Sequence, residues 1–270
     1  MKARMECNSE NTNKPTIGII GVGVIGSALA KGFATAQPPC SLLLSSRSKD
    51  NMIHLAAEFP ELLRLAADNQ QVLNEAEWVI LAIPPAQGET ILRSLRFRPE
   101  NKVINLMADK SLEKIAGWIG QTALLAHIVP LPFIAQHIGP IVIYPQSEEL
   151  FNLLSSLGQI VVAKNPHEVH VLQSITALMA PFDTLLDEIV RWAGENGVEE
   201  MPAKAFTTAF FGAICQQVAQ VPAGRLSELA NEMTPGGLNA MAKEYISKNQ
   251  GFNLWAEALK PVIERLSSSV

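Results

Sequence analysis

Three glycines, Gly21, Gly23 and Gly26, stand at the spacing G-x-G-x-x-G inside residues 15–31, PTIGIIGVGVIGSALAK. The chemistry this spacing can do is to hold a pyrophosphate. Gly21 permits a tight turn, Gly23 lets the anion approach the backbone, and Gly26 lets a helix pack closely on a strand, with Val24 and Ile25 completing the turn. Free backbone N–H groups at the helix N-terminus, reinforced by the helix dipole, then hold the charge. A second group, Ser46-Arg47-Ser48, follows about 20 residues past the glycines, where an NAD-preferring site places an acid on the ribose 2′-hydroxyl. An arginine flanked by hydroxyls pairs instead with a 2′-phosphate, and the next carboxylate is Asp50. These residues predict a dinucleotide site that favours NADPH over NADH.

Such a site needs a strand before the glycines and a helix after them. Residues 16–20 are an Ile-rich apolar run, and 27–33 read as helix. Further strands are expected at 41–44, 62–66, 78–83, 102–106, 124–129, 140–143 and 159–162. Helices are expected at 52–59, 69–76, 87–95, 111–119 (with Ser111 as N-cap) and 148–157. This alternation predicts a mostly parallel sheet covered on both faces. Ligands of such sheets sit beyond the C-terminal strand ends, which places Ala82, Ile83, Pro84, Met107 and Ala108 beside the cofactor.

From Asn165 the strand signals stop. Asn165-Pro166-His167-Glu168 is a helix start. Helical stretches follow at 166–177, 181–195, 202–221, 224–232, 237–248 and 254–266. The fold class is therefore α/β, a Rossmann-type doubly wound sheet over 15–163 followed by an all-helical domain over 164–270, with 1–14 a polar, disordered lead-in. The stretch 205–221, AFTTAFFGAICQQVAQV, is apolar on more than one face. A helix apolar all round is buried, and a small helical domain has little interior, so the pattern predicts a homodimer through these helices.

Composition narrows the partners. Net charge is −5 with no basic run, which argues against nucleic acid. Three scattered cysteines give neither a disulfide framework nor a metal site, and suit a reducing cytoplasm. No apolar run reaches the ~18 residues of a membrane span, and 1–14 lack the apolar core of a secretory signal.

From residue 15 onward the chain resembles the pyrroline-5-carboxylate reductase family, as a divergent member. The resemblance is carried by GVGVIGSALAKGF, the SSRS turn, VILAIPPAQ, VINLMADKSLEKIAGWIG and MTPGGLNAM. It implies an NAD(P)H-binding Rossmann domain, a helical dimerisation domain and reduction of the cyclic imine pyrroline-5-carboxylate to proline. It also implies substrate contacts at Met179, Thr234, Gly236, Gly237, Leu238 and Asn239. The chain departs from the family's pattern at several of these places. Pro84 replaces a lysine, Val129-Pro130-Leu131-Pro132 lacks the family's Asn-Thr pair, Ala177-Leu178-Met179-Ala180-Pro181-Phe182 replaces a Ser-Gly-Ser-Gly segment, and Leu238 holds a threonine position. The cofactor half is kept while the substrate half becomes more apolar, so the expected substrate is a small imine or carbonyl compound.

An iminium accepts hydride without a strong acid, whereas a ketone needs a proton donor. His127, His137, His167 and His170 are the candidate donors, with Asp109 and Lys110 near the ribose; no residue type or spacing singles out a catalytic group. A ketone or β-keto acid reductase, and a non-catalytic dinucleotide-binding protein, remain alternative readings.

Overall fold

Strands alternate their side chains between two faces, and the apolar residues of this chain alternate with them. The computed structural model describes residues 15–37, 39–45, 49–232 and 234–268. Eight strands form one sheet: β1 (Thr16–Ile20), β2 (Ser41–Ser45), β3 (Leu63–Leu65), β4 (Trp78–Leu81), β5 (Lys102–Asn105), β6 (Leu124–Val129), β7 (Pro140–Tyr144) and β8 (Gln159–Val162). The spatial order is β3-β2-β1-β4-β5-β6-β7-β8. Ile17, Ile19, Leu42, Leu44, Ile80, Ile104 and Ile128 point to one face. There they meet α1 (Val24–Thr35), α2 (Lys49–Glu58) and α6 (Glu148–Leu154). Ile20, Leu43, Val79, Leu81 and Val103 point to the other. That face meets α3 (Asn69–Glu75), α4 (Gly88–Arg93) and α5 (Leu112–Ile119). Each such side chain, fully buried, contributes about 1.5–3 kcal/mol.

The doubly wound sheet expected from the alternation is present, with one difference. β7 runs antiparallel to β6, and β8 follows β7 in that reversed direction. Residues 130–139 connect β6 to β7 through one 3₁₀ turn, Pro132–Gln136. A parallel crossover needs about a dozen residues or more, usually with a helix, so the chain turns back instead. The 3₁₀ turn packs on α1 so closely that a Cβ on Gly32 would stand 2.7 Å from the Ile134 carbonyl oxygen.

Helix ends follow local chemistry. Ser111 caps α5 by accepting the Lys114 N–H, and Asp68 caps α3 by accepting that of Gln71. Asn165 accepts the Glu168 N–H at 2.9 Å while Glu168 accepts that of Lys164 at 2.8 Å, which starts α7 (Pro166–Ile175). The predicted helix over 87–95 is split into a 3₁₀ turn, Pro85–Gln87, and α4, because the Pro84-Pro85 pair restricts the entry.

The chain forms two compact units. The first holds the sheet and runs to Gln173, with 266–268 also belonging to it; the second is Ser174–Arg265. The division thus falls inside α7 rather than near residue 164, because Val169 is buried with Val129, Val142 and Ala163 of the sheet. The second unit contains α8 (Met179–Glu195), α9 (Glu200–Ala219), α10 (Leu226–Leu229), α11 (Leu238–Lys248), α12 (Gly251–Glu257) and most of α13 (Lys260–Ser267). The single helix expected over 254–266 is two, α12 ending where Pro261 removes an N–H that its continuation would need. Among the described residues from 174 to 265, only Ser174, Ala203 and Thr207 are buried. The run Pro166–Glu195 is long and apolar enough to cross a membrane by length and composition alone. It is interrupted by a 3₁₀ turn, Thr176–Leu178, and then carries Asp183, Asp187, Glu188 and Arg191.

β1 and α3 touch at Gly18, where a Cβ would stand 2.3 Å from Val72 Cγ1 and 2.8 Å from Ala76 Cβ. Gly18→Ala is expected to lower stability by about 1–3 kcal/mol, the usual cost of an overpacked core, read as a lowered urea midpoint at unchanged m.

Candidate dinucleotide and ligand site

The strand order reverses at β1, with β2 on one side and β4 on the other. In open sheets this reversal leaves a crevice at the carboxyl ends of the two strands, where ligands bind. The glycine turn opens directly from β1 into that crevice. Gly21 has φ +96°, and its N–H donates to the Ser45 carbonyl at 2.8 Å. A Cβ there would stand 2.4 Å from the Ala82 carbonyl oxygen, so β1 and β4 leave together only because Gly21 has none. A Cβ on Gly26 would stand 2.2 Å from the Gly21 carbonyl oxygen. Gly23 differs from both: a Cβ there would meet nothing within 4 Å. Its lack of a side chain leaves open space at the N-cap of α1, where no side-chain cap is made. An α-helix has four N–H groups without intrahelical partners at this end, and the open space in front of these has room for a ligand that brings acceptor oxygens. Val24 is exposed over this opening, Ile25 is half-buried against the core, and the Asn51 side-chain amide donates to the Val22 carbonyl at 3.0 Å.

The other residues expected beside a cofactor divide into two kinds. Pro84 is exposed and Ala82 and Ala108 half-buried at the ends of β4 and β5. Ile83 and Met107 are buried in the core, with Met107 packed where α4 passes at Gly88. Their side chains therefore support the crevice wall, and only their main chain is near its surface. Ser46, Arg47 and Ser48 lie outside the described residues, as does the 1–14 lead-in. The substrate residues implied by the family resemblance all fall in the second unit. Met179 and Leu238 are exposed, and Thr234 to Gly237 form a turn in which the Gly237 N–H donates to the Thr234 carbonyl at 2.9 Å, with Gly236 at φ +71°. Asn239 follows in the first turn of α11.

The four candidate histidines separate by environment. His137 is structural: with φ 61°, its Nδ1–H donates to the Ser156 carbonyl at 2.7 Å and its Nε2 is 2.8 Å from Thr35 Oγ1. His167 is exposed in the first turn of α7. His127 lies in β6 opposite Asn105, the last residue of β5, and is 6% exposed. Its Nδ1 is 2.8 Å from Asn105 Nδ2, and its Nε2 is buried with no hydrogen-bond partner among the described residues. A cavity of about 80 Å³ lies there, lined by Ala108, Leu112, Tyr144, Val169 and His170 among others. Asp109 and Lys110 pair with each other at 3.0 Å beside it. Asn105 and Tyr144 escaped the sequence reading. Asn105 did carry a signal, a lone amide ending an apolar strand.

Burial pushes the His127 imidazole down to about 4, and the charge of His170 adds to this. Burial also lowers His170, followed by the charge of His167. An unfolded histidine titrates near 6.5, about where stability should begin to fall. Below that pH the unfolded chain binds a proton that the native His127 refuses, so stability is complete above it and declines as pH drops towards about 4. By pH 5 the loss is about 2 kcal/mol. Urea unfolding at pH 8 and pH 5 measures it, and a His127→Gln variant should show a smaller difference between the two.

Residues 16–109 match the family model described as NADP oxidoreductase, coenzyme F420-dependent. No curated protein matches the chain in sequence. Among solved structures, the chain is similar to the 1-pyrroline-5-carboxylate reductase of Streptococcus pyogenes, with a TM-score of 0.82 at 22% identity over 95% of this chain and 100% of that one. The pyrroline carboxylate reductase of Plasmodium falciparum, solved with NADP bound, gives 0.81 at 16% identity over 94% and 98%. An imine reductase of Aspergillus terreus, solved with NADPH4, gives 0.52 at 15% identity over 95% and 93%. The fold is that of the pyrroline-5-carboxylate reductases.

Proposed function

We propose that the chain is an NADPH-dependent reductase of a carbon–nitrogen double bond in a small molecule, pyrroline-5-carboxylate or a related cyclic imine, acting in the cytoplasm as a homodimer. The observation that carries this reading is the glycine turn at the strand reversal, with its open space at Gly23, in a chain that over 95% of its length is similar in fold to an enzyme named for this reduction. Two of those similar structures are described as holding NADP or NADPH4, which supports the same cofactor here.

In this reading the N–H groups of Val24, Ile25 and Gly26 bind the pyrophosphate, and Ser46, Arg47 and Ser48 bind the 2′-phosphate. Ala82, Pro84 and Ala108 line the path towards the ends of β4 and β5. The bound nicotinamide supplies the hydride; the protein's work is to orient it and to exclude water. Thr234, Asn239 and the Gly236 N–H are the polar groups this turn offers a substrate, the Gly237 N–H being held by the Thr234 carbonyl, while Met179 and Leu238 are exposed and apolar. This depletion favours a less polar imine over one recognised through its carboxylate, because a desolvated carboxylate without donors costs several kcal/mol, about that of a lost charged hydrogen bond or more.

The dimer is supported by the second unit itself. Phe206 and Phe210 stack with ring centroids 6.1 Å apart, yet are 73% and 49% exposed. Met201, Met241, Tyr245 and Leu254 are also exposed. A second copy covering these side chains gives the helices the core that one chain lacks.

A ketone or β-keto acid is the second reading, favoured by the His127 Nε2, buried without a partner among the described residues, on β6 opposite the end of β5.

Steady-state NADPH oxidation with pyrroline-5-carboxylate and other cyclic imines tests the function. Turnover with an imine is expected, and turnover with no imine or ketone leaves a non-catalytic dinucleotide-binding protein. Sedimentation should give twice the chain mass, and a 29.3 kDa monomer at micromolar concentration contradicts the dimer. Two variants test the cofactor assignment. Gly23→Ala should keep stability within about 0.5 kcal/mol while weakening NADPH and NADH alike. Arg47→Ala should weaken NADPH by ~1.5–3 kcal/mol and barely affect NADH; equal losses for both contradict the 2′-phosphate role.

A further inference from the structure

Asn105 determines which His127 nitrogen carries the proton. The Met107 N–H donates at 2.9 Å to one side-chain atom of Asn105, which must therefore be the oxygen. The other atom is the NH₂ group, and it donates to the Met107 carbonyl at 3.2 Å and to His127 Nδ1 at 2.8 Å. Nδ1 is thus an acceptor, so in the neutral ring the hydrogen is on Nε2. That N–H is a buried donor without a partner among the described residues, on a side chain that lines the cavity between β6, β7, α5 and α7. Buried donors are almost always paired; this one is held in orientation by a strand-end amide and left without an acceptor.

The surroundings select the acceptor. The cavity is mostly apolar and of about 80 Å³, somewhat under three times the ~30 Å³ share of a water molecule in the liquid. Leu112 and Val169 are on its wall, with Glu113. Lys110 is the nearby cation, and its Nζ is already held by Asp109 Oδ2 at 3.0 Å. Asp109 Oδ1 is itself buried without a hydrogen-bond partner among the described residues. Two carboxylates against one lysine disfavour an anionic ligand, and a protonated iminium would present an N–H to the N–H of His127.

We propose that this cavity binds the uncharged C=O or C=N group of a small, largely apolar molecule, whose lone pair accepts the Nε2–H of His127. The inference deepens the reductase reading and rests on it only in calling that molecule the substrate. His127 is then the residue that holds and polarises the double bond through the hydrogen bond from its Nε2–H.

The experiment is binding alone, without cofactor or turnover. Histidine labelled with ¹⁵N in the full-length protein reports both ring nitrogens of His127. The free protein should show Nε2 protonated and Nδ1 unprotonated. Butanone supplies the uncharged carbonyl, 2-methyl-1-pyrroline at alkaline pH the unprotonated imine, and propionate the same shape as butanone with a charge. Saturable movement of Nε2 with butanone, with the pyrroline or with both, and none with propionate at equal concentration, is the expected result; whichever of the two binds identifies the double bond. His127→Phe, with binding read from the ring nitrogens of His170 on the same cavity wall, should weaken that binding at least tenfold. An Nδ1–H tautomer, no movement with either uncharged compound, or equal movement with propionate overturns the proposal. Binding without any NADPH turnover retains this site and removes the reductase reading, and turnover without binding does the reverse.

Discussion

Two backbone carbonyls set the limits of the N-terminal site. The Ala82 oxygen lies where a Gly21 Cβ would be, and the Gly21 oxygen lies where a Gly26 Cβ would be. These contacts pull the ends of β1 and β4 and the start of α1 into one corner. No side chain fits at either place, so the corner depends on glycine twice. The third glycine is under no such constraint. Its freedom leaves the N-terminus of α1 uncovered, and that is the property a phosphate site requires. Packing at Gly21 and Gly26 and openness at Gly23 are therefore separate demands met by one short motif.

The sheet extends this logic to the ligand cavity. Period-two alternation sends Val103 and Asn105 of β5, and Leu125 and His127 of β6, to the same face. Along that face the core is apolar until the last paired residues, where it becomes Asn105 and His127. The polar pair is thus placed by register at the carboxyl end of β5, next to Ala108 and the first turn of α5. α7 closes the far side with Val169 and His170, which is why its first turns belong to the sheet unit.

Much of this was legible in the sequence. β6, β8 and the Ser111 cap have the expected bounds, because their patterns are strongly periodic and their end signals strong. The glycine turn was legible for the same reason. What was not legible depended on chain geometry rather than residue type. The reversal at β7 follows from a connection too short to cross over, and both types of strand read alike. Met107 and Ala108 are neighbours in sequence and look equally close to a cofactor, yet one is turned into the core. His127 is one of four candidate histidines in the sequence, and the structure sets it apart through a strand-end amide that holds one nitrogen while the other is buried without a partner among the described residues. The apolar character of α9 was evident from the start, but within one chain its face is exposed.

The central claim is that the corner built by Gly21, Gly23 and Gly26 holds a phosphorylated dinucleotide. Equilibrium titration of the wild-type protein with NADPH and with NADH, followed by fluorescence, tests it most directly. Saturable binding at one site per chain, tighter for NADPH, is the expected result. Failure of both nucleotides to bind would contradict it.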